Sequence, residues 1–309
     1  MIENTDGKTG EKTEEKTAVI EIAKAAGLTL LSEEERNPLY TTTYGVGEVI
    51  KDAVRNGCRK FIVGIGGSAT NDGGAGMLQA LGFGLLKENG EQIPIGARGL
   101  EELAEITDDN VIPELAECKF KIACDVTNVL CGETGASAVY GPQKGADEEM
   151  TERLDRLLFS YASLVKKKIP KADSMYPGTG AAGGLGFAFL TFMDAQLESG
   201  IQIVIKETGL EQEIAKADLV ITGEGRMDGQ TAMGKAPIGI AKIAKKYGKP
   251  VIAFAGAAAR DAGACNEQGI DAFFPILREA VSLEAAMKRE NAEANMEAAV
   301  EQAYRLWRL

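Results

Sequence analysis

The sequence predicts an α/β fold with a largely parallel sheet, on three observations. Short apolar strands recur along the chain, amphipathic helical patterns separate them, and clusters of glycine and polar residues follow most strand ends. The chain has 309 residues, 45% hydrophobic and 26% charged. That composition excludes wholesale disorder, and the length supports a real core without metal or disulfide staples.

The elements follow in order. Residues 1–16 are rich in Glu, Lys, Thr and Gly and read as a flexible lead or irregular turn. TAVIEIAKAAGL (17–28) reads as a short strand running into a helix, and ERNPLYTTTYG (35–45) as a loop. VGEVIKDAVRNG (46–57) is an amphipathic helix closed by Gly57. Buried-type strands are expected at KFIVGIGG (60–67), FKIACDV (120–126), ADLVITGEG (217–225), KPVIAFAGA (249–257) and DAFFPIL (271–277). Helical patterns lie between them at 148–168 and 237–249, and LGFAFLTFMDAQL reads as a further helical run. The chain closes on an Ala/Glu-rich helix over 282–309. GFGLLKENGEQI (82–93) breaks the alternation as a hairpin, with Asn89-Gly90 as a type I′ turn. It suggests a second, mixed-sheet domain woven through the first.

Composition also excludes functions. Lys and Arg total 34 against 46 Asp and Glu, a net charge of −12. So acidic a chain is a poor partner for nucleic acid, and an anionic ligand must be held by a local device. There is no histidine. Ser-His-Asp and Cys-His catalysis and imidazole metal sites are therefore excluded, and proton transfer falls to Asp, Glu, Lys, Tyr or Cys. Five cysteines with no CxxC pair, and no secretory signal, indicate reduced thiols in a cytoplasmic setting. The longest uncharged stretch, Ser174 to Met193, holds Pro177 and five glycines and is no membrane span.

Four clusters carry candidate chemistry. GIGGSATNDGG (64–74) follows a strand and fits GxGxxA at Gly64, Gly66 and Ala69, but Asn71-Asp72-Gly73-Gly74 interrupts the helix that a dinucleotide site requires. Its glycines instead describe a backbone cradle for phosphate or carboxylate at Gly66 and Gly67, with Ser68, Thr70, Asn71 and Asp72 exposed. CDVTN (124–128) places Asp125 at a strand end, where it can accept a substrate hydroxyl proton, with Asn128 beside it. The alternative is an Asp that merely caps the next turn. PGTGAAGG (177–184) has no preceding strand but opens a helical run. It offers Gly178, Thr179 and Gly180 to an anion, unless its glycines serve only close packing. TGEGRMDGQTAMGKAP (222–237) holds GxxxxGK at Gly229, Gly234 and Lys235, but Ala236 stands where a Walker A loop needs Ser or Thr. Glu224, Arg226, Asp228, Gln230 and Lys235 read as a phosphate and metal grip on one long loop. Arg226 and Lys235 would clamp charge, and Glu224 and Asp228 would help hold Mg²⁺. Glycine-rich loops, acids for a metal and no histidine point to phosphoryl transfer. A nicotinamide oxidoreductase is disfavoured, because Glu88 and Glu91 fall in the hairpin rather than at a second strand end.

GIGGSATNDGGAGMLQALGFGLL, ACDVTNVLCGETGASAVYGPQKGA, PGTGAAGGLGFAFL and VITGEGRMDGQTAMGKAPIGIA together resemble the bacterial, non-P-loop glycerate kinase family, from Thr17 to Leu309. The resemblance implies two α/β domains, one Rossmann-like with a largely parallel sheet and one interwoven and mixed. The seams are approximate: 45–80, 115–165 and 205–309 in the first, 1–44, 81–114 and 166–204 in the second. It implies ATP and Mg²⁺, D-glycerate as substrate and a phosphoglycerate as product, commonly the 2-phospho form. Against the family pattern the chain enters directly at TAVIE and has Val129 after CDVTN. An N-terminally shortened member is therefore expected, self-associating as a homodimer or completed by a separate N-terminal segment. The competing expectation is a weak or inactive relative that binds ligand without turnover.

Overall fold

The computed structural model describes residues 2–5 and 12–308. Their contacts divide the chain into two compact units, Met1–Gly200 and Ile201–Leu309. The first unit holds β1 (Ile2–Thr5), β2 (Lys12–Glu21), β3 (Cys58–Gly64), β4 (Gly84–Leu86), β5 (Glu105–Thr107), β6 (Lys119–Ala123) and β7 (Asp194–Glu198). The second holds β8 (Val220–Met227), β9 (Val251–Ala258) and β10 (Ala272–Pro275).

The main sheet has the order β1-β2-β3-β6-β7, parallel except for the antiparallel β1–β2 pair. Residues 2–5 and 12–16 are thus strand, which corrects the expectation of a flexible lead; residues 6–11 lie outside the described residues. Polar composition did not decide the outcome, because ladder pairing with Thr17 and Lys16 fixes the register of Ile2 and Glu3. The buried side chains of β3 and β6 set the core, with Phe61 stacked on Phe120 at 4.6 Å between ring centroids and Phe189 at 5.7 Å from Phe120.

A second correction concerns the run after the third glycine cluster. The helix Ala181–Phe192 is capped by Met193, and β7 begins at Asp194, paired with β6 over Lys119↔Asp194 to Ala123↔Glu198. The β4 segment pairs antiparallel with β5 and bridges back from Leu86 to Gln92. Its turn is not type I′: Gly90 has φ +81 but Asn89 is not at positive φ, and the Gly90 N–H donates to Lys87 O at 3.0 Å. This is the longer turn in which a left-handed glycine forms the bulge.

The helices Tyr44–Arg55, Glu148–Lys168 and Ala236–Lys246 fall close to their expected places. The Asp147 carboxylate caps the second by accepting from Met150 N at 2.8 Å. The terminal helix breaks into Leu283–Ala286 and Arg289–Trp307.

In the second unit β10-β9-β8 form a separate parallel sheet. Its core sets Ile238, Ala241 and Ala244 with Val251, Ala253 and Ala255. The strands at 60–67 and 120–126 therefore belong to one sheet and those at 217–225 and 249–257 to another, where the expected partition placed all four in one domain.

Candidate functional site

The first unit carries its site just past the carboxyl ends of β3 and β6. The apolar run Phe61–Ile65 ends at Gly66 and Gly67, both exposed, and neither N–H has a protein acceptor among the described residues. The apolar run of β6 ends at Ala123, ahead of Cys124 and Asp125. A cavity of about 330 Å³ opens there, lined by Gly66, Gly67, Ser68, Asp125, Tyr140 and Lys144 among others. Open parallel sheets place ligands at this position.

Lys144 is a candidate site residue that the motif reading missed. It is 2% exposed. Its Nζ donates to Ser68 Oγ at 2.9 Å and to Thr70 O at 2.7 Å. Burial pulls the ammonium pKa down to about 8, while the charge of Asp72 acts the other way. The available signal was a lysine inside GPQKGA, in a short helical turn bounded by Gly141 and Gly145. No charge pattern marked it.

Asp125 lies on the rim, exposed. Its Oδ1 accepts from Ser199 Oγ and Gly200 N, each at 3.0 Å. Both bonds fall on one oxygen, so Oδ2 has no hydrogen-bond donor among the described residues. Asn128 is held at both ends of its side-chain amide and at its carbonyl. Its Oδ1 accepts from Tyr140 OH at 2.6 Å, its Nδ2 donates to Thr134 O at 2.9 Å, and its carbonyl accepts from Gly178 N and Gly180 N.

Ser68, Thr70, Asn71 and Asp72 are buried, contrary to the expected exposed cradle. Asp72 is a structural hub. One or other of its oxygens accepts from Thr43 N and Oγ1 at 2.8 and 2.9 Å, Thr42 Oγ1 at 3.3 Å, Gly74 N at 3.1 Å and Gly76 N at 3.3 Å. Burial raises its pKa, opposed by the bonds from Thr43, Gly76 and Gly74. Asn71 donates to Ser137 Oγ at 2.8 Å. Of this loop, Ile65, Gly66, Gly67 and Ser68 line the cavity.

In the 177–184 loop the first amides are turned to protein acceptors, and Ala181 and Ala182 line the cavity. Gly178, Thr179, Gly180 and Ala181 all give their N–H to protein carbonyls, and Thr179 Oγ1 donates to Tyr176 O at 2.7 Å. The Gly183 carbonyl accepts from Gly73 N at 2.9 Å, and a Cβ at Gly183 would sit 2.0 Å from Thr70 O. Ala182, Gly183 and Gly184 run left-handed in succession, at φ 53, 68 and 93. Only glycine permits this approach of two loops.

In the second unit β8 holds Thr222–Gly225, as the strand expected at 217–225 does, and runs on through Arg226 and Met227 into the stretch read as one long loop. Parallel pairing of Glu224 with Ala255 and of Arg226 with Ala257 accounts for it, with Gly223 too close to Phe254 O to carry a Cβ. Glu224 and Arg226 share one face of β8 by their spacing. The buried Thr231 hydroxyl donates to Glu224 Oε1 and accepts from Asp228 N at 3.1 Å. Asp228 Oδ1 accepts from Gln230 N at 3.0 Å and Thr231 N at 3.1 Å. The Thr231 backbone bond is the main cause holding its pKa low. Lys235 Nζ reaches Gln230 Oε1 at 3.5 Å, and Arg226 is exposed. Among the described residues no three carboxylates or thiols gather as a metal cage. Two hard carboxylates joined through Thr231 do suit Mg²⁺ as phosphates bring it, since that ion keeps few protein ligands.

Carboxylates, ammonium groups and exposed backbone amides at parallel strand ends, without histidine, make up the donor set of an α/β phosphoryl-transfer enzyme. The chain belongs to the glycerate kinase family, whose model matches residues 1–308. It is 48% identical to a glycerate kinase of Halalkalibacterium halodurans, over 93% of this chain and 76% of that protein. It is likewise 48% identical to the glycerate 2-kinase of Escherichia coli K12, over 93% and 75%. A crystal structure of a protein assigned as glycerate kinase 2, from Salmonella typhimurium LT2, superposes with a TM-score of 0.81 at 48% identity, covering 93% of this chain and 75% of that one.

Proposed function

We propose that this chain transfers the γ-phosphoryl group of ATP to a hydroxyl of D-glycerate, the 2-hydroxyl in preference to the 3-hydroxyl. The observation that carries the reading is 48% identity to glycerate kinases across 93% of the chain. The name of the Escherichia coli relative favours the 2-phospho product.

In this reading Asp125 Oδ2 accepts the proton of the attacking hydroxyl, with Ser199 and Gly200 fixing the carboxylate. The hydroxyl oxygen then bonds to the γ-phosphorus, the bond to the bridging oxygen breaks, and ADP leaves. Arg226 and Lys235 bind phosphate oxygens. Gly66 and Gly67 offer backbone N–H groups to an anionic group. Mg²⁺, held by Glu224 and Asp228, would neutralise phosphate charge. No helix among the described residues is long and apolar enough to cross a membrane. We place the chain in the cytoplasm, where its free cysteines stay reduced, and expect it to self-associate.

A coupled ADP assay with D-glycerate and Mg²⁺-ATP tests the function, with product position read by phosphorus NMR. Glycerate-stimulated ADP release is expected. Thermal stabilisation by glycerate with no ADP released would leave a binding protein and remove the kinase reading.

A further inference from the structure

Lys144 is a buried cation with no ion-pair partner: the charge of buried Asp72 acts on it, but that carboxylate is bonded to Thr42, Thr43, Gly74 and Gly76 and not to Nζ. Its Nζ has two acceptors, a hydroxyl and a carbonyl, both uncharged. Among the described residues no carboxylate lies within ion-pair distance of it. A charge taken out of water costs several kcal/mol unless it is paired. An ammonium has three N–H donors, and two are used here. The side chain also lines the cavity beside the exposed amides of Gly66 and Gly67.

We propose that Lys144 and the Gly66–Gly67 turn form the subsite for the carboxylate of the three-carbon hydroxy acid, the third N–H of Nζ supplying the charged contact. This deepens the kinase reading and rests on it for the identity of the acid. A three-carbon acid fits whole inside the cavity, whereas a nucleotide would enter it by its phosphates alone. The cavity, about 330 Å³, lies at the small end of the range for ligand pockets, roughly 300–1,000 Å³. A short acid held there by its carboxylate keeps its hydroxyls in the same cavity as Asp125. A lysine suits the task because a compact point charge needs no planar partner.

The test pairs a protein change with a ligand change. Lys144→Met keeps length and removes charge. Lys144→Gln also keeps donors for Ser68 and Thr70, and it replaces the Met variant if that one fails to fold. Each is measured against D-glycerate, against its neutral amide, and for KM of ATP. A charged hydrogen bond is worth about 10- to 100-fold in affinity. The expected result is that rise in KM for D-glycerate, with KM for ATP within about twofold and little discrimination against the amide. A rise confined to KM for ATP would assign the subsite to phosphate and overturn the proposal. An equal loss for glycerate and its amide, with a lowered Tm, would make Lys144 only a strut. Calorimetry with D-glycerate and no ATP separates the two readings. A wild type that binds glycerate but releases no ADP sinks the kinase reading alone. Equal glycerate affinity in wild type and variant sinks this one alone.

Discussion

Asp125 and Lys144 stand on one cavity wall and make opposite demands on a mutation. Asp125→Asn keeps the acceptor for Ser199 and Gly200 but removes the base. Turnover should fall about 10²-fold or more with Tm nearly unchanged, and unaltered turnover would retire Asp125 as proton acceptor. Lys144 predicts a pH signature with two signs. Its folded pKa, about 8, lies below the ordinary 10.5. Between those values the unfolded chain carries a proton that the folded chain lacks, so the stability contribution of this group rises with pH there. Glycerate binding should weaken over the same window as the charge is lost. The neighbours in play are Asp72 and, on the wall, Asp125, Cys124 and Tyr140; burial pushes the last two up, away from pH 8. Lys144→Met should remove the KM trend and make the urea midpoint rise less, or fall more, from pH 7 to 10, since the thiols Cys118, Cys124 and Cys131, whose pKa values burial raises, contribute the opposite slope. Two adjacent residues give a third, opposed pair. Ala182 is the one non-glycine at positive φ among the described residues, so Ala182→Gly should stabilise by about 1 kcal/mol. Gly183→Ala, whose Cβ would meet Thr70 O, should destabilise by about 2 kcal/mol or more. Shifts of the denaturant midpoint measure both.

At the scale of elements, the β8 strand and the turn after it form one device. Arg226→Ala should raise the apparent KM for ATP or glycerate and lower kcat, because it removes an exposed cation that makes no side-chain hydrogen bond or ion pair among the described residues. Thr231→Val should lower kcat through loss of the hydroxyl that joins Glu224 to Asp228, and it should raise the Mg²⁺ concentration giving half-maximal rate. If Mg²⁺ dependence is unchanged in Thr231→Val, the two carboxylates do not hold the ion. How far this device was legible differs residue by residue. Glu224, Arg226 and Asp228 declare themselves as charges next to glycines. Thr231 does not, since its role comes from burial. The strands β3, β6, β8 and β9 were readable as apolar runs. The segments at Ile2–Thr5 and Asp194–Glu198 were not, because polar strands take their state from a ladder partner distant in sequence. In the 64–74 loop composition suggested exposed polar side chains, but the fold turns Thr70, Asn71 and Asp72 inward. Glycine density marks close packing as readily as anion binding, and in the 177–184 loop the amides of 178–181 are bonded within the protein.

At the scale of the whole molecule, two units with separate sheets and separate core clusters should unfold separately unless strongly coupled. Trp307, the sole tryptophan, belongs to the second unit, so its fluorescence reports that unit while far-UV circular dichroism reports both. Non-coincident urea transitions by the two probes are expected, and superimposable curves would mean one cooperative block. The chain passes from one unit to the other once, between Gly200 and Ile201, and among the described residues no strand ladder joins the two sides of that bond. A gene crossover there, between this chain and a relative, inherits every sheet intact from one parent. A crossover near residue 100 would instead take β4 and β5, and β3 and β6, from different parents. Shuffled libraries should therefore yield folded chimeras densely at the first point and sparsely at the second, so the two halves of the coding sequence are free to acquire changes at different rates.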